Sequence, residues 1–297
     1  METSGVVGTI AGLWRFPVKS MRGEQLEEAG LTERGLVGDR AYALIDTDTG
    51  KVVSAKSVRL YPDLLGCRAG FVEPPRSERE LPPVRITLPD GKSVTSDSSD
   101  ADRVLSAYFR RDVTLARAAP ADFTIDQYHP DVEDLDPEGH RDTVVEQKLG
   151  SAFFAQAGLA SPVPVGSFFD LFPVSVLTTS TLDRLSEQRP QSRIDQRRFR
   201  MNAIVGTKEA GFVENNWIGR ELAIGDAVRL RVALPDPRCV MTTLAQDELP
   251  KDTDVLRTLT QHNRVQVGDA GRFPCAGVYA LVEAPGTMRT GDRVALT

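Results

Sequence analysis

Cysteine, histidine and long apolar runs are scarce in this sequence. Its 297 residues include three cysteines, Cys67, Cys239 and Cys275, and three histidines, His129, His140 and His262. The odd, low cysteine number and the lack of any CxxC pair argue against a disulfide framework and against a structural zinc site. No histidine stands at metal-motif spacing, so neither a His-rich metal site nor a histidine acid/base site is expected. Low cysteine usage points to a reducing compartment, with the cytoplasm as the expected location. No apolar run approaches the roughly 18 residues that cross a bilayer, and no membrane association is expected. Met1-Glu2-Thr3-Ser4-Gly5 has no basic region followed by an apolar stretch, so no secretory leader is expected. Positive charge is also in deficit. With 36 Lys+Arg against 42 Asp+Glu, the net charge is −6. Sequence-independent nucleic-acid binding needs phosphate neutralisation, and no nucleic-acid partner is expected. A local basic pocket for a small anionic ligand remains compatible with this balance.

What is present is an ordinary globular composition, 40% hydrophobic and 26% charged. At roughly 100–200 residues per domain the length suggests about two domains. Val6 to Trp14 reads as a strand that Pro17 terminates. Ala41–Asp46 and Lys51–Ser54 flank Thr47-Asp48-Thr49-Gly50, a hairpin signal. Further strand-like pieces stand at Cys67–Val72, Val84–Leu88, Ser93–Thr95 and Asp112–Ala116, with a helix over Ser99–Phe109. Short strands at this spacing suggest a small β-barrel or sandwich. The segment from Ala118 to Val165 is rich in Pro, Asp and Glu and reads as a long, partly mobile surface connection. Beyond it, helices are expected at Thr179–Gln188 and Asp252–Asn263. Strands are expected at Ala203–Val205, Glu221–Ile224, Ala227–Val232, Gly277–Glu283 and Arg293–Leu296. The expected division is residues 1–120, an acidic connection over 121–165, and 166–297.

With so few histidines, chemistry has to rest on a cysteine, carboxylates, arginines or a bound cofactor. Cys239 lies in Pro235-Asp236-Pro237-Arg238-Cys239-Val240-Met241-Thr242-Thr243. Two readings are open for it. A lone cysteine commonly serves as a small buried residue. A rigid approach through two prolines, with a guanidinium adjacent, instead favours a thiolate, the nucleophilic and metal-ligating form. Cys67 and Cys275 stand in apolar surroundings and read as core. Cations recur at strand ends: Lys19 beside Ser20, Arg40 after Gly38-Asp39, and Arg200 in Arg197-Arg198-Phe199-Arg200-Met201-Asn202. Each is weak evidence alone. Together they suit an anionic, phosphate-bearing ligand, with arginine as bidentate contact and lysine as point charge.

Trp14-Arg15-Phe16-Pro17-Val18-Lys19-Ser20 and Gly35-Leu36-Val37-Gly38-Asp39-Arg40 resemble the N-terminal β-barrel module of MOSC proteins. Phe199-Arg200-Met201-Asn202, Pro237 to Thr243, Gly277-Val278-Tyr279 and Pro285-Gly286-Thr287 to Gly291-Asp292 resemble the MOSC domain itself. The resemblance runs from about residue 6 to the end. It implies an α+β, β-rich fold, an N-terminal β-barrel module packed on a C-terminal MOSC β-barrel with peripheral helices. The functional relatives it points to are the amidoxime reducing component and its bacterial counterparts.

What the resemblance implies is a molybdenum cofactor, a pterin dithiolene carrying a terminal phosphate. Cys239 matches the position that ligates molybdenum and takes part in catalysis. Lys19, Ser20, Arg40 and Arg200 match positions that hold the pterin and its phosphate. Asn202, Arg238 and Tyr279 match positions lining the same pocket, and Asp170, Leu171 and Phe172 align with a cofactor-contacting loop. The soft thiolate suits a sulfur-rich metal centre. The implied activity is reduction of small N-hydroxylated compounds, with solvent or a carboxylate as proton source. Met201 departs from the family's usual proline. The four cysteines of an iron–sulfur domain are missing, so electrons are expected from a separate ferredoxin-, flavodoxin- or cytochrome b5-like protein. No PLP-dependent desulfurase domain is expected. Two alternatives stand beside it: a sulfur carrier or sulfurtransferase with a Cys239 persulfide, which needs the cysteine but not the pterin-phosphate cations, and a non-catalytic cofactor-binding protein, which shares the whole pocket.

Overall fold

Alternating apolar residues at the chain's start form a strand, Gly5–Arg15. Its inward residues Ile10 and Leu13 are buried. In the computed structural model, which describes residues 5–297, this strand lies among strands from the C-terminal part of the chain. Going round, the order is Val174–Thr178, Ala203–Thr207, Gly5–Arg15, Arg293–Leu296, Glu221–Ile224, Val228–Pro237 and Arg272–Ala284. Pairing of the last with Val174–Thr178 closes a seven-stranded barrel. The fold is β-rich α+β with peripheral helices.

Period-two alternation fills the barrel. Val228, Leu230 and Val232 are fully buried, while Arg229 and Arg231 face outward. Val174–Thr178 and Ala203–Thr207 run parallel, so a crossover has to join them. Helix α3 (Thr179–Gln188) begins it. Thr178 caps that helix, its hydroxyl accepting from the Thr181 amide at 3.2 Å. The fully buried Glu214 ties the closure together. It accepts hydrogen bonds from the Thr178 and Thr181 hydroxyls, both at 2.6 Å, and from the Gly277 amide at 3.0 Å. Burial raises its carboxyl above the ordinary range.

A second core collects residues from the first part of the chain, among them Val18, Met21, Leu44, Leu64, Ile86 and Leu105. Leu105 comes from α1 (Ala101–Phe109) and Ile86 from the three-stranded sheet of Arg68–Phe71, Val84–Thr87 and Ser93–Thr95. Met241 of the C-terminal part inserts into this core, and Cys239 packs against it. The cysteine therefore lies on the seam between the two cores.

One expectation is corrected. Residues Ala118–Val165 are not merely a long surface connection. They carry an antiparallel hairpin, Thr124–His129 with Thr143–Lys148, and α2 (Ser151–Gln156). Inward residues of the first hairpin strand include polar Gln127 and His129, so composition hid the alternation. Phe123, Ile125 and Leu149 pack with Ala43, Val52 and Phe168. Val132 and Leu135 pack on Leu256 of α4 (Asp254–His262). The expected hairpin around Thr47–Gly50 forms over a short ladder. The Gly50 amide donates to the Asp46 carbonyl at 2.8 Å, the Asp46 amide to Lys51 at 3.0 Å and the Val53 amide to Leu44 at 2.8 Å, with Ile45 bridging Val52. Ala43–Asp46 pairs as well with Val113–Ala116, and the Val52 amide donates to the Thr124 carbonyl at 3.0 Å. Among the described residues no helix is long and apolar enough to cross a membrane.

Gly277 lies at the closing seam with φ of +82°. A Cβ there would stand 2.6 Å from the Val176 carbonyl oxygen and 2.6 Å from Met201 Cε. Gly277→Ala is expected to lose about 2 kcal/mol or more in urea unfolding, since both backbone strain and backbone overlap oppose it. A loss under about 0.5 kcal/mol would show that the barrel is not tightly closed there.

Candidate functional site

The first strand ends at Arg15, and Phe16-Pro17-Val18 carries the chain across the seam. Val18 bridges Tyr42, and the Lys19 amide donates to the Tyr42 carbonyl at 2.8 Å. Ser20 then turns into the left-handed region, with φ of 64°. Arg40 and Arg200 share that conformation, at 47° and 57°. Each such turn costs a non-glycine residue on the order of 1–3 kcal/mol and tends to occur where function requires it.

Asp39 organises the arginines. Its carboxylate accepts from the Phe16 amide at 2.7 Å, from Arg40 Nη1 at 2.5 Å and from Asn202 Nδ2 at 2.9 Å. Arg40 Nη2 donates to the Arg200 carbonyl at 3.1 Å. The two guanidinium groups lie 4.4 and 4.3 Å from the centre of the Phe16 ring. Arg200 is 8% exposed and donates to the Met21 carbonyl at 2.6 Å. Among the described residues it makes no ion pair. Burial and the neighbouring Arg40 push its pKa down to about 9. A cavity of about 540 Å³ reaches Phe16 and Arg200.

Lys19 and Lys56 hold Asp170 between them. Lys19 Nζ pairs with Oδ1 and also donates to the Phe168 carbonyl at 2.8 Å; Lys56 Nζ pairs with Oδ2 at 2.8 Å. The Phe168 amide donates to the Arg40 carbonyl at 3.0 Å, which fixes this loop against the arginines. Burial opposes the Asp170 charge, but the two lysines hold its carboxyl far below the ordinary range. Burial lowers the Lys19 pKa despite Asp170. For Lys56, attraction to Asp170 and Cys239 outweighs burial and raises it.

Cys239 follows the strand Val228–Pro237, whose pairing with Arg272–Ala284 slips three times, the last between Pro235 and Pro237. Prolines remove ladder donors, and bulges redirect the residues that follow. Arg238 donates from its amide to Pro274 at 2.8 Å and from Nη2 to the Phe199 carbonyl at 2.7 Å. Its Nη1 pairs with Asp236 at 2.6 Å. Buried Arg238 Nε and Asp236 Oδ1 have no hydrogen-bond partner. Burial raises Asp236 to about 6 although Arg238 opposes it. Tyr279 sits near Asp236 and stacks on Phe172 at 5.4 Å, with Leu171 packed alongside. Burial raises its hydroxyl well above the ordinary range, with Asp236 adding to the shift. Cys239 is half-buried, whereas Cys67 and Cys275 are buried and their thiols are pushed up to about 12.

The structure thus brings Lys19, Ser20, Arg40, Asp170, Arg200, Arg238 and Cys239 to the seam. Asn202 meets this group through Asp39. Its Oδ1 accepts from the Ser175 amide and hydroxyl at 3.0 and 3.1 Å while its Nδ2 holds Asp39. Sequence reasoning missed Lys56, Asp39 as a hub and Asp236 as an acid. Lys56 stands alone in Ser54-Ala55-Lys56-Ser57, and only the fold carries it to Asp170. The larger cleft, about 860 Å³, lies between residues 131–134 and α4 and touches none of these groups.

A folded pKa raised from 3.8 to about 6 means that the folded chain binds the Asp236 proton more tightly than the unfolded chain. The group costs no stability below about pH 4. Its ionisation removes about 3 kcal/mol as pH rises to about 6, at about 1.4 kcal/mol per unit. Urea melts between about pH 4 and 7 are expected to show this decline in wild type and its loss in Asp236→Asn; parallel pH profiles would contradict it.

Comparison with known proteins adds family matches. The MOSC N-terminal beta barrel domain matches residues 7–116, and the MOSC domain matches residues 165–295. Mitochondrial amidoxime-reducing component 1 of Homo sapiens is 26% identical over 319 residues, covering 98% of this chain and 83% of that protein. Mitochondrial amidoxime reducing component 2 of Rattus norvegicus is 26% identical over 301 residues, covering 97% and 83%. Among solved structures, the YUAD protein from Bacillus subtilis covers 99% of this chain and 98% of its own, at TM-score 0.44 and 10% identity.

Proposed function

For a chain that belongs to the MOSC-domain proteins, with a MOSC N-terminal domain ahead of the MOSC domain, we propose a molybdenum-cofactor oxidoreductase that reduces N-hydroxylated compounds. One observation carries this reading. In a chain of net charge −6, five cations (Lys19, Lys56, Arg40, Arg200 and Arg238) gather with three carboxylates (Asp39, Asp170 and Asp236), and buried Arg200 has no ion pair among the described residues. A buried, unpaired guanidinium is costly, and an anionic ligand would relieve it.

The donor set fits a phosphate-bearing pterin dithiolene. Lys19, Ser20, Arg40 and Arg200 would hold its phosphate and pterin. Arg238, Tyr279 and the loop Asp170-Leu171-Phe172 would line its pocket. Asn202 would act through Asp39, keeping Arg40 in place. Cys239 would ligate molybdenum, as a soft thiolate suits that metal. When bound, the cofactor supplies the two-electron redox chemistry. Cleavage of the N–O bond consumes two electrons and two protons and releases water. Asp236, raised to about 6, keeps a fraction of its carboxyl protonated near neutral pH and is the chain's own proton source in this reading. A separate ferredoxin-, flavodoxin- or cytochrome b5-like protein would supply the electrons. The three free cysteines suit a reducing compartment, in our reading the cytoplasm. The mitochondrial amidoxime-reducing components of similar length support the substrate class.

Molybdenum and pterin content tests this directly, in protein from a host able to make the cofactor. Near-stoichiometric molybdenum is expected in wild type, with metal lost or its coordination altered in Cys239→Ser. Absence of molybdenum from competent wild type would overturn the reading and direct sulfur labelling at Cys239 for a persulfide carrier. Arg40→Ala is expected to lower molybdenum occupancy severalfold in the protein that still folds, and to cost the cofactor-free protein about 3 kcal/mol because the buried Asp39 loses its cation. Full occupancy in that variant would refute its role at the phosphate.

A further inference from the structure

We propose that His129, Asp136 and His140 bind a divalent transition metal, at a site independent of Cys239. The sequence spacing of these residues matches no metal motif, yet the fold brings two of the three histidines onto one carboxylate. His129 ends the hairpin strand Thr124–His129, and Asp136 and His140 lie in the loop that follows. One ligand atom from each lies within 4.8 Å of the others. Asp136 Oδ2 stands 2.8 Å from His129 Nδ1 and 3.4 Å from His140 Nδ1. Ligand atoms on a tetrahedral zinc, at about 2.0–2.1 Å from the metal, stand roughly 3.3 Å apart.

The second observation is a pair of orphaned atoms. His129 Nδ1 and Asp136 Oδ2 are buried and have no hydrogen-bond partner, despite their 2.8 Å approach. Their side chains are 5% and 9% exposed. An ordinary His–Asp bond would satisfy both atoms; a cation between them does so without that geometry.

The remaining atoms of the cluster are arranged to support ligation. Asp136 Oδ1 accepts from the His140 amide at 3.2 Å, which turns Oδ2 toward the imidazoles. Glu138 Oε2 lies 3.3 Å from His140 Nε2 and can accept a hydrogen bond from its N–H, leaving Nδ1 free. Gln127 Nε2 stands 3.3 Å from His129 Nε2. Metal ligation through Nδ1 requires this amide to turn over, so that its oxygen accepts from His129 Nε2. Outer carboxylates and amides of this kind set the tautomer of metal-binding histidines. Two imidazoles and one carboxylate, with His140 at the 27% exposed edge, leave an open position for water. The metal would clasp the loop to its hairpin. The Tyr128 amide, next to His129, donates to the Lys56 carbonyl at 2.9 Å, so the clasp would brace the wall that carries Lys56.

The test uses the full-length Cys239→Ala chain, stripped with a chelator, to remove thiolate binding. Calorimetric titration with Zn²⁺ is expected to give one site per chain, and Co²⁺ is expected to give a spectrum without a thiolate band. Zinc is expected to raise the Tm. His140→Ala and Asp136→Asn in the same background should each weaken binding at least about tenfold and abolish the Tm rise, and Glu138→Gln should weaken it about tenfold. Failure of the folded Cys239→Ala chain to bind zinc would overturn the proposal. So would undiminished binding in His140→Ala, whose exposed position keeps the test open even where Asp136→Asn fails to fold. Neither result bears on molybdenum at Cys239.

Discussion

The Asp39 carboxylate is the contact on which the candidate site depends. It is buried, and it joins three pieces of chain that are far apart in sequence: the Phe16 amide, the Arg40 guanidinium and the Asn202 amide. Charged acceptors form stronger hydrogen bonds than neutral ones, and three donors compensate the cost of burying this one. Asn202 passes the constraint on to Ser175 in the neighbouring barrel strand. The turn that carries Arg40, the end of the first strand and two barrel strands therefore share one geometry. Arg40 and Arg200 keep their left-handed backbones because bonds of this network hold them there.

The site is electropositive inside a protein that is negative overall. Its lysines are paired through Asp170, and Arg238 is paired through Asp236, yet Arg200 keeps its charge beside Arg40 with only a carbonyl acceptor. Low-dielectric surroundings make that charge matter more than one at the surface. The partly exposed Arg197, by contrast, pairs with both Asp195 and Glu248.

Cys239 owes its position to packing on both sides. Met241 enters the N-terminal core, while fully buried Arg198 donates to the carbonyls of Arg193, Thr242, Leu244 and Pro250. The turn after the cysteine is thereby pinned from two directions. Arg198 stands two residues from Arg200 in sequence, yet it serves the backbone and not the ligand side. Adjacent like charges carried no hint of that division.

By itself the sequence determined the local pieces and the short motifs. Apolar alternation marked the strands Glu221–Ile224 and Arg293–Leu296, and a threonine-rich start marked α3, because these patterns depend on neighbours in the chain. Lys19, Ser20, Arg40, Arg200 and Cys239 were legible through motif resemblance. Tertiary structure decided what depends on distant contacts. It sent the first strand into a barrel with the C-terminal strands and ordered an acidic segment whose inward residues include Gln127 and His129. It brought Lys56 to Asp170, set Asn202 on Asp39, and joined His129 to Asp136 and His140. Periodicity reports which face of an element is apolar; it does not report which other face that element meets. Pairing of buried charges is therefore settled only when the two cores close on each other.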